Sequence, residues 1–513
     1  MYRKLRKSST KEQTPVDETI PDTPATSAEQ TEALRDLYST YVHPVKCFHG
    51  TCSKKLVNKK NLVSVLKQRE IGLINLHRYP SARYQLTDRL LPNQGEIIAS
   101  MPRSTFCGQF SEDGQRFLSA CQDNCLRVFD TISSKTFQRA EEILVDEVGW
   151  AILDTALSPN RTHIAYSTWS DCIYLVKLND DQTESKIIPL QLRPHAHSFT
   201  IFSLQYSSDG SEIIGGSNDT CVYIYDLEKQ KRTLRVQAHG DDINAVRFVD
   251  NSNSLVVSGS DDNFVYVWDR RALKESHPKP VGVFAGHTKG ITFIHSRMDS
   301  RYLISNSKDQ SIKLWDMRRF SDESTIGKSH AIASNIDPRW DYRYDAYGPR
   351  PTQIDVPGDP SVRTYRDHSV SFTLIRCYFS PAFTTGQKYI ITGSSDGCIR
   401  IYDVLTGSVE LRLRVTDNVG DNRDRCVRDV AWHPFDNYIV STSWDSYCAH
   451  VRWTHSFDES TISSSSDDPK TISIKKPGFS LNRHPQTLRR LLTQQFYGSD
   501  IEYDSDDDTQ SLE

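Results

Sequence analysis

One short phrase returns through the middle of this chain at a nearly constant interval. A small or hydroxyl residue is followed two positions on by Asp, and six positions later by an aromatic or apolar residue that usually precedes a second Asp. It reads CQDNCLRVFD ending at Asp130, WSDCIYLVK ending at Lys177 and SNDTCVYIYD ending at Asp226. It continues as SDDNFVYVWD ending at Asp269, SKDQSIKLWD ending at Asp316 and SSDGCIRIYD ending at Asp403, with an irregular last copy, SWDSYCAHVRW, ending near Trp453. Successive regular ends lie 47, 49, 43, 47 and 87 residues apart. A unit this short cannot bury its own apolar face, so the copies must pack against one another.

Each copy holds three short alternating strands, and a fourth precedes the next copy's His. Seven such units predict an all-β, seven-bladed propeller of the WD-repeat type. The 87-residue gap marks one insertion, spanning 320–361. Within a blade, Asp309 can accept from His287, which can reach Ser307 and the indole of Trp315. His239, Ser260, Asp262 and Trp268 stand at the same spacings in the preceding copy. A buried polar group must find partners, so these residues are expected to form a framework. Two copies depart: Trp169 replaces the hydroxyl in the second, and two extra residues before Trp453 in the seventh suggest a bulge.

Composition sets the class around this core. The 513 residues are 37% hydrophobic and 25% charged with net charge -4, which points to neither nucleic acid nor acidic lipid as partner. Eleven cysteines, several inside apolar strands (Cys121, Cys172, Cys221, Cys377, Cys398), read as reduced thiols rather than a disulfide framework. No apolar run is long enough to span a membrane. The organisation expected is a disordered or linker region at 1–54, a helical segment and lead-in at 55–100, the propeller at 101–454 and a Ser-rich to acidic tail at 455–513. In the tails, Ser499 and Ser505 sit in acidic context, and Arg3-Lys4, Arg6-Lys7 and Lys475-Lys476 are short basic clusters.

No catalytic constellation appears: no Ser-centred elbow, no phosphate-cradling Gly loop, no His-Glu metal helix. His43, Cys47, His49 and Cys52 are too cramped for a structural zinc site. No cofactor and no metal are expected, and the protein is read as a non-enzyme. Chemistry of another kind sits at two repeat ends, where Trp268-Asp269 and Trp315-Asp316 are each followed two residues on by arginine, Arg271 and Arg318. Chain direction places both on the face opposite the Asp turns. There they form either a fork-bearing patch for carboxylates or ordinary surface ion pairs. The insertion is expected on that same face, with Trp340, Tyr342, Tyr344 and Tyr347 among Arg339, Arg343 and Arg350. It is either an interface or a cover for the propeller's own side. Upstream, Leu56, Leu62, Val65, Leu66 and Ile71 fall near helical spacing, in a helix that either caps the propeller or docks in a partner.

Two consecutive WD-x-Arg endings, a helical segment ahead of the first blade and a long insertion after the fifth together resemble the substrate receptors of cullin-4 RING ubiquitin ligases. The likeness runs from about Leu56 to Trp453. It implies that Arg271 and Arg318, with Trp268, Asp269, Trp315 and Asp316 and helped by Leu62 and Leu66, contact the propeller-built ligase adaptor. Cullin-4 and its RING subunit would then be joined indirectly. It further implies turnover of protein substrates, stress-response leucine-zipper (bZIP) transcription factors among them, in the nucleus and cytoplasm. Substrate would meet the Asp-turn mouth at Thr200, Phe202, Asp242, Asn244, Lys308, Arg428 and Trp444. There Phe202 and Trp444 would seat an apolar anchor while Arg428 and Lys308 hold acidic side chains. The rival reading is a WD-repeat scaffold of a signalling or RNA-processing complex, for which the two arginines are dispensable.

Overall fold

The computed structural model describes Gln30, Glu32, Leu34 and Asp36, residues 90–456 apart from short loop segments, and residues 471–474. The omitted segments are 133–136, 146–147, 179–185, 193–198, 336–340, 344–353, 416–424 and 445–447. Leu56, Leu62, Val65, Leu66, Ile71, the His43–Cys52 run, Ser499 and Ser505 lie outside the described residues, as do Trp340, Tyr344, Tyr347, Arg339 and Arg350.

Seven sheets, antiparallel except for one added strand in blade 6, follow one another around a ring. Blade 5 shows the pattern: Ile291–Ser296 innermost, then Tyr302–Ser307, Ser311–Asp316 and, after the insertion, Arg363–Tyr365 outermost. The two middle strands of this blade are buried on both faces, which is why they read as continuous apolar and small residues. The core lies between blades. Phe293, Tyr302, Ile304 and Leu314 of blade 5, for example, pack on Cys377, Phe379, Ile390 and Tyr402 of blade 6. Five innermost strands carry a bulge near the Asp-turn end, where extra twist lets them converge on the channel.

The recurring Asp is explained locally. Asp123, Asp219, Asp262, Asp309 and Asp396 each accept the backbone N–H two residues on. The intervening residue (Asn124, Thr220, Asn263, Gln310 or Gly397) sits at positive φ. This is an Asx turn that reverses the chain between the second and third strands.

Several boundaries differ from those read in the sequence. The propeller starts before 101: Gln94–Ser100 pairs antiparallel with Ala449–Thr454 and supplies the outermost strand of blade 7. The ring is thus closed by its own N-terminal strand, which pairs the third strand of blade 7 that would otherwise be that sheet's edge. The tail after 455 contributes as well, since Thr471–Ser473 adds a parallel fifth strand to blade 6 beside Val409–Arg414. Nor is the N-terminal region wholly apart. Gln30, Glu32, Leu34 and Asp36 are helical, Leu34 packs against the core between blades 5 and 6, and the Gln30 amide donates to the Ser361 carbonyl. In blade 7 the two extra residues produce no bulge. Ile439–Ser443 and Ala449–Thr454 pair in unbroken register, and the Trp453 indole still donates to Ser441.

The polar framework exists, with different serines. The His287 ring bonds Asp309 at 2.9 Å and Ser305, not Ser307, at 2.7 Å, and the Trp315 indole donates to the same Ser305 hydroxyl at 2.7 Å. In blade 4, His239 bonds Asp262, and Ser258, not Ser260, takes the imidazole and the Trp268 indole. Register is the reason. Ser305 lies opposite Lys313, one diagonal step from Trp315, whereas Ser307 lies opposite Ser311 at the turn and donates instead to the Lys289 carbonyl. Burial would raise the Asp309 carboxyl, but His287 and Ser311 hold it well below the usual carboxylate range. Ser305→Ala strands an indole N–H and an imidazole nitrogen together. Unfolding free energy should fall by about 1–3 kcal/mol in denaturant titration.

Candidate functional site

Both repeat-end arginines are held by their own sequence. Arg271 donates from its backbone N–H and Nε to Asp269 Oδ1 (3.0 and 2.9 Å) and from Nη2 to Oδ2 (2.7 Å). Arg318 repeats this on Asp316 at 3.0, 3.1 and 2.8 Å. Asp-x-Arg is therefore a self-clamping unit: the carboxylate fixes one edge of the guanidinium and leaves the other free to bind. Arg271 is 74% exposed and meets no other carboxylate among the described residues. Arg318, 54% exposed, also bonds Asp36 of the N-terminal helical segment at 3.0 Å, and Asp36 reaches Arg301 at 2.9 Å. Those two arginines hold the Asp36 carboxyl below its ordinary range. Nothing in the composition of residues 1–40 signals this contact.

A third clamp was legible and missed. Within the insertion, Asp341-Tyr342-Arg343 follows Trp340, and Arg343 grips Asp341 through the same three donors, at 2.9, 3.0 and 2.6 Å. It sits on the opposite mouth. The insertion does not stay on the WD-x-Arg face, as expected from its point of departure, but leaves that face and crosses the propeller. Asp322 caps the first turn of a helix, Glu323–Asn335, by accepting from the Thr325 N–H at 2.8 Å. Thirteen residues span about 20 Å. The small face of the helix, Thr325 and Ser329, is buried against the blade side, with Ser329 donating to the His287 carbonyl. Beyond it Tyr342 lies over Lys308, its ring centroid 3.9 Å from Nζ, and the Tyr342 carbonyl accepts from the Phe372 N–H.

The Asp-turn mouth is a cavity of about 840 Å³. One half is aromatic. Phe106 meets Trp150 edge-on at 5.3 Å and Trp444 at 5.1 Å, and Trp169 meets Phe202 edge-on at 6.2 Å. Trp150 and Trp169 are 55% and 43% exposed. The other half is charged, with Asp242, Asp261, Lys289, Lys308, Asp341 and Arg343. Lys308 Nζ bonds both Asp261 oxygens, at 2.7 and 2.8 Å, and Asn244 donates to Asp261 at 2.7 Å. Gly290 permits that arrangement, because a Cβ there would stand 2.1 Å from Asp261 Oδ1. Burial, then Asp261 and Asp241, push the Asp242 carboxyl up to about 6, although Lys308 and Arg343 oppose the shift.

Of the residues expected at this mouth, Phe202, Asp242, Asn244, Lys308, Arg428 and Trp444 do line the cavity. Thr200 does not. It is fully buried and tied to Asn218 and to the Thr168 carbonyl, because the first-strand bulge turns it into the blade. Lys308 and Arg428 are not the open cations expected for acidic side chains. Lys308 is neutralised by Asp261 beneath Tyr342. Arg428 is 4% exposed, donates to Thr373 and stacks on Phe106 at 4.9 Å. Trp150, Trp169, Asp261 and Tyr342 were not anticipated at the mouth. Only Trp169 left a trace in the sequence, as the aromatic standing where other blades have a hydroxyl.

Fold and geometry together define a WD-repeat β-propeller with two chemically different faces, one arginine-bearing and one aromatic and charged. The family profile described as WD domain, G-beta repeat, matches residues 103–130, 189–226, 228–269, 278–316, 360–403 and 418–450. The chain is 37% identical over 425 residues to the LEC14B homolog of Prunus armeniaca, covering 80% of this chain and 86% of that protein. It is 37% identical over 374 residues to the DDB1- and CUL4-associated factor 11 homolog of Caenorhabditis elegans, covering 71% of this chain and 63% of that protein. The corresponding Caenorhabditis briggsae protein is 35% identical over 384 residues, with 73% and 67% covered. The chain belongs to the WD-repeat family that these proteins make up.

Proposed function

We propose that this protein is a non-catalytic substrate receptor of a cullin-4 RING ubiquitin ligase. It holds the ligase adaptor on the WD-x-Arg face and a target protein at the Asp-turn mouth. The observation that carries the reading is the pair of self-clamped guanidiniums, Arg271 and Arg318, on neighbouring blades of a propeller whose relatives are named for association with DDB1 and CUL4. A guanidinium fixed along one edge loses little freedom when its other edge meets a partner's carbonyl or carboxylate, which Arg271 can do directly and Arg318 in exchange for its bond to Asp36. The receptor contributes proximity, raising the effective concentration of target lysines near the charged conjugating enzyme. Leu62 and Leu66 would add a second adaptor contact. Stress-response leucine-zipper factors as targets, and action in both nucleus and cytoplasm, rest on the family resemblance alone.

The test is affinity purification of the intact protein beside an Arg271→Ala/Arg318→Ala double variant, with the adaptor scored by mass spectrometry. Capture should fall at least about ten-fold, since charge-assisted bonds at an interface centre are each worth about 1.5–3 kcal/mol. Arg301 still bonds Asp316 in the variant, so it should remain folded, which its melting profile checks. Failure of the intact protein to capture adaptor sinks the ligase reading and leaves the scaffold. Undiminished capture by the variant moves docking to the segment around Leu62.

A further inference from the structure

Asp242 is the charged group at the Asp-turn mouth that the fold leaves unsatisfied. Its carboxylate accepts no hydrogen bond and joins no ion pair among the described residues. Its neighbours are paired with one another: Lys308 with Asp261, and Arg343 with Asp341. Asp241 and Asp261 stand beside it, so the chain keeps an anion where like charges oppose it. Such an arrangement costs stability and persists where a ligand offsets the cost. Across the same cavity Trp150 and Trp169 expose about half of each side chain, with Phe202 and Trp444 behind them. Large exposed aromatics rimmed by charge are the composition of a binding centre, and indole faces also attract cations. Arg428 does not alter the balance, being packed on Phe106 and nearly inaccessible.

We propose that the Asp-turn mouth recognises a segment of a partner protein presenting a lysine or arginine to Asp242 beside an aromatic or large aliphatic residue seated among Trp150, Trp169, Phe202 and Trp444. This rests on the receptor reading for its biological use and deepens it by fixing the chemistry of the recognised segment. It also reverses the expectation of an acidic segment. An acidic side chain would meet Asp241, Asp242 and Asp261, while Lys308 is already bonded to Asp261 and Arg343 to Asp341.

The test selects a displayed library of random 12-residue peptides on the immobilised full-length chain, then measures the enriched peptides by fluorescence anisotropy against Asp242→Asn and Trp169→Ala variants. Enriched peptides should pair Lys or Arg with Phe, Trp, Leu or Met within two positions, and each variant should weaken them at least ten-fold. Affinity for the intact chain should fall as pH drops below about 6, where Asp242 takes up its proton amid Asp241, Asp261, Lys308 and Arg343, and stay level for Asp242→Asn. That variant should also melt higher at pH 7, since it removes an unpartnered anion; a carboxylate serving only the fold would give a lower midpoint. Enrichment of acidic peptides, binding indifferent to Asp242→Asn, or no enrichment at all overturns the proposal. Adaptor capture is scored in parallel. Its loss from the intact protein with peptide selection intact refutes the receptor reading alone, and the converse refutes this one alone.

Discussion

Replacing Arg376 by leucine is expected to lower the unfolding free energy by about 3–5 kcal/mol, the range for removing one partner of a buried ionic network. Arg376 is 6% exposed on the innermost layer of blade 6 and spans the channel wall, donating from Nη2 to Asp154 at 2.7 Å and from Nη1 to Asp429 at 3.3 Å. Both carboxylates are already committed. Asp154 Oδ2 accepts the Leu204 N–H at 2.8 Å, and Asp429 accepts the Gly108 N–H at 3.0 Å and the Tyr378 hydroxyl at 2.9 Å. Innermost strands of adjacent blades do not pair with each other, so these aspartates satisfy N–H groups that would otherwise face the channel. The arginine in turn neutralises the aspartates. Leucine in its place leaves Asp154 and Asp429 buried without the guanidinium bonded to them, with Arg247 and Arg428 only nearby. Asp154→Asn and Asp429→Asn added to Arg376→Leu should recover part of the loss, because an amide oxygen keeps the N–H bond without the charge. Arg376→Lys should fall between, a single ammonium being unable to serve two acceptors in fork geometry. A midpoint for Arg376→Leu within about 1 kcal/mol of the parent in denaturant titration would contradict this account.

The second large effect is acid instability beginning near neutrality. Burial, with a contribution from Arg247, lowers His295 to about 3, and burial with Arg127 nearby lowers His450 to about 3. Burial and Arg400 lower His368 to about 4. The folded state therefore prefers all three imidazoles neutral, while the unfolded chain protonates them near 6.5. Their contribution is complete above about 6.5 and is lost as pH falls toward 4, by up to ~1.4 kcal/mol per unit for each site. At pH 5 the three together cost about 4–6 kcal/mol, comparable to the whole stability of many domains. Stability measured between pH 7 and 5 should fall steeply. His450→Phe, which suits a site already flanked by Phe117 and Phe129, should reduce the slope by about a third. A flat profile across that interval rejects the assignment.

Much of this molecule was written locally. The blade count, the Asp turns and the buried middle strands depend on residues within ten positions of one another, and local geometry repeats wherever the local sequence does. The Asp-x-Arg clamp is equally local, which is why it occurs at Asp341-Tyr342-Arg343 on a mouth where no blade end lies. For the same reason the motif names a conformation and not a face. Positions that depended on register were harder. Ser305 and Ser307 are both small, both on one strand and two residues apart, and only the pairing with Ser311–Asp316 decides which of them meets Trp315.

The sequence by itself determined a ring of seven blades, the carboxylate that clamps each repeat-end arginine, and the aromatic substitution at Trp169. Tertiary structure alone decided that Gln94–Ser100 closes the ring, that Asp36 reaches Arg318 across 282 positions, and that Tyr342 covers Lys308. It also left Asp242 unpaired while giving Lys308 to Asp261. The division has one physical cause. Turns and strand periodicity arise from steric and hydrogen-bonding preferences a few residues long, whereas charge pairing at a mouth depends on how close seven separate blades bring their ends.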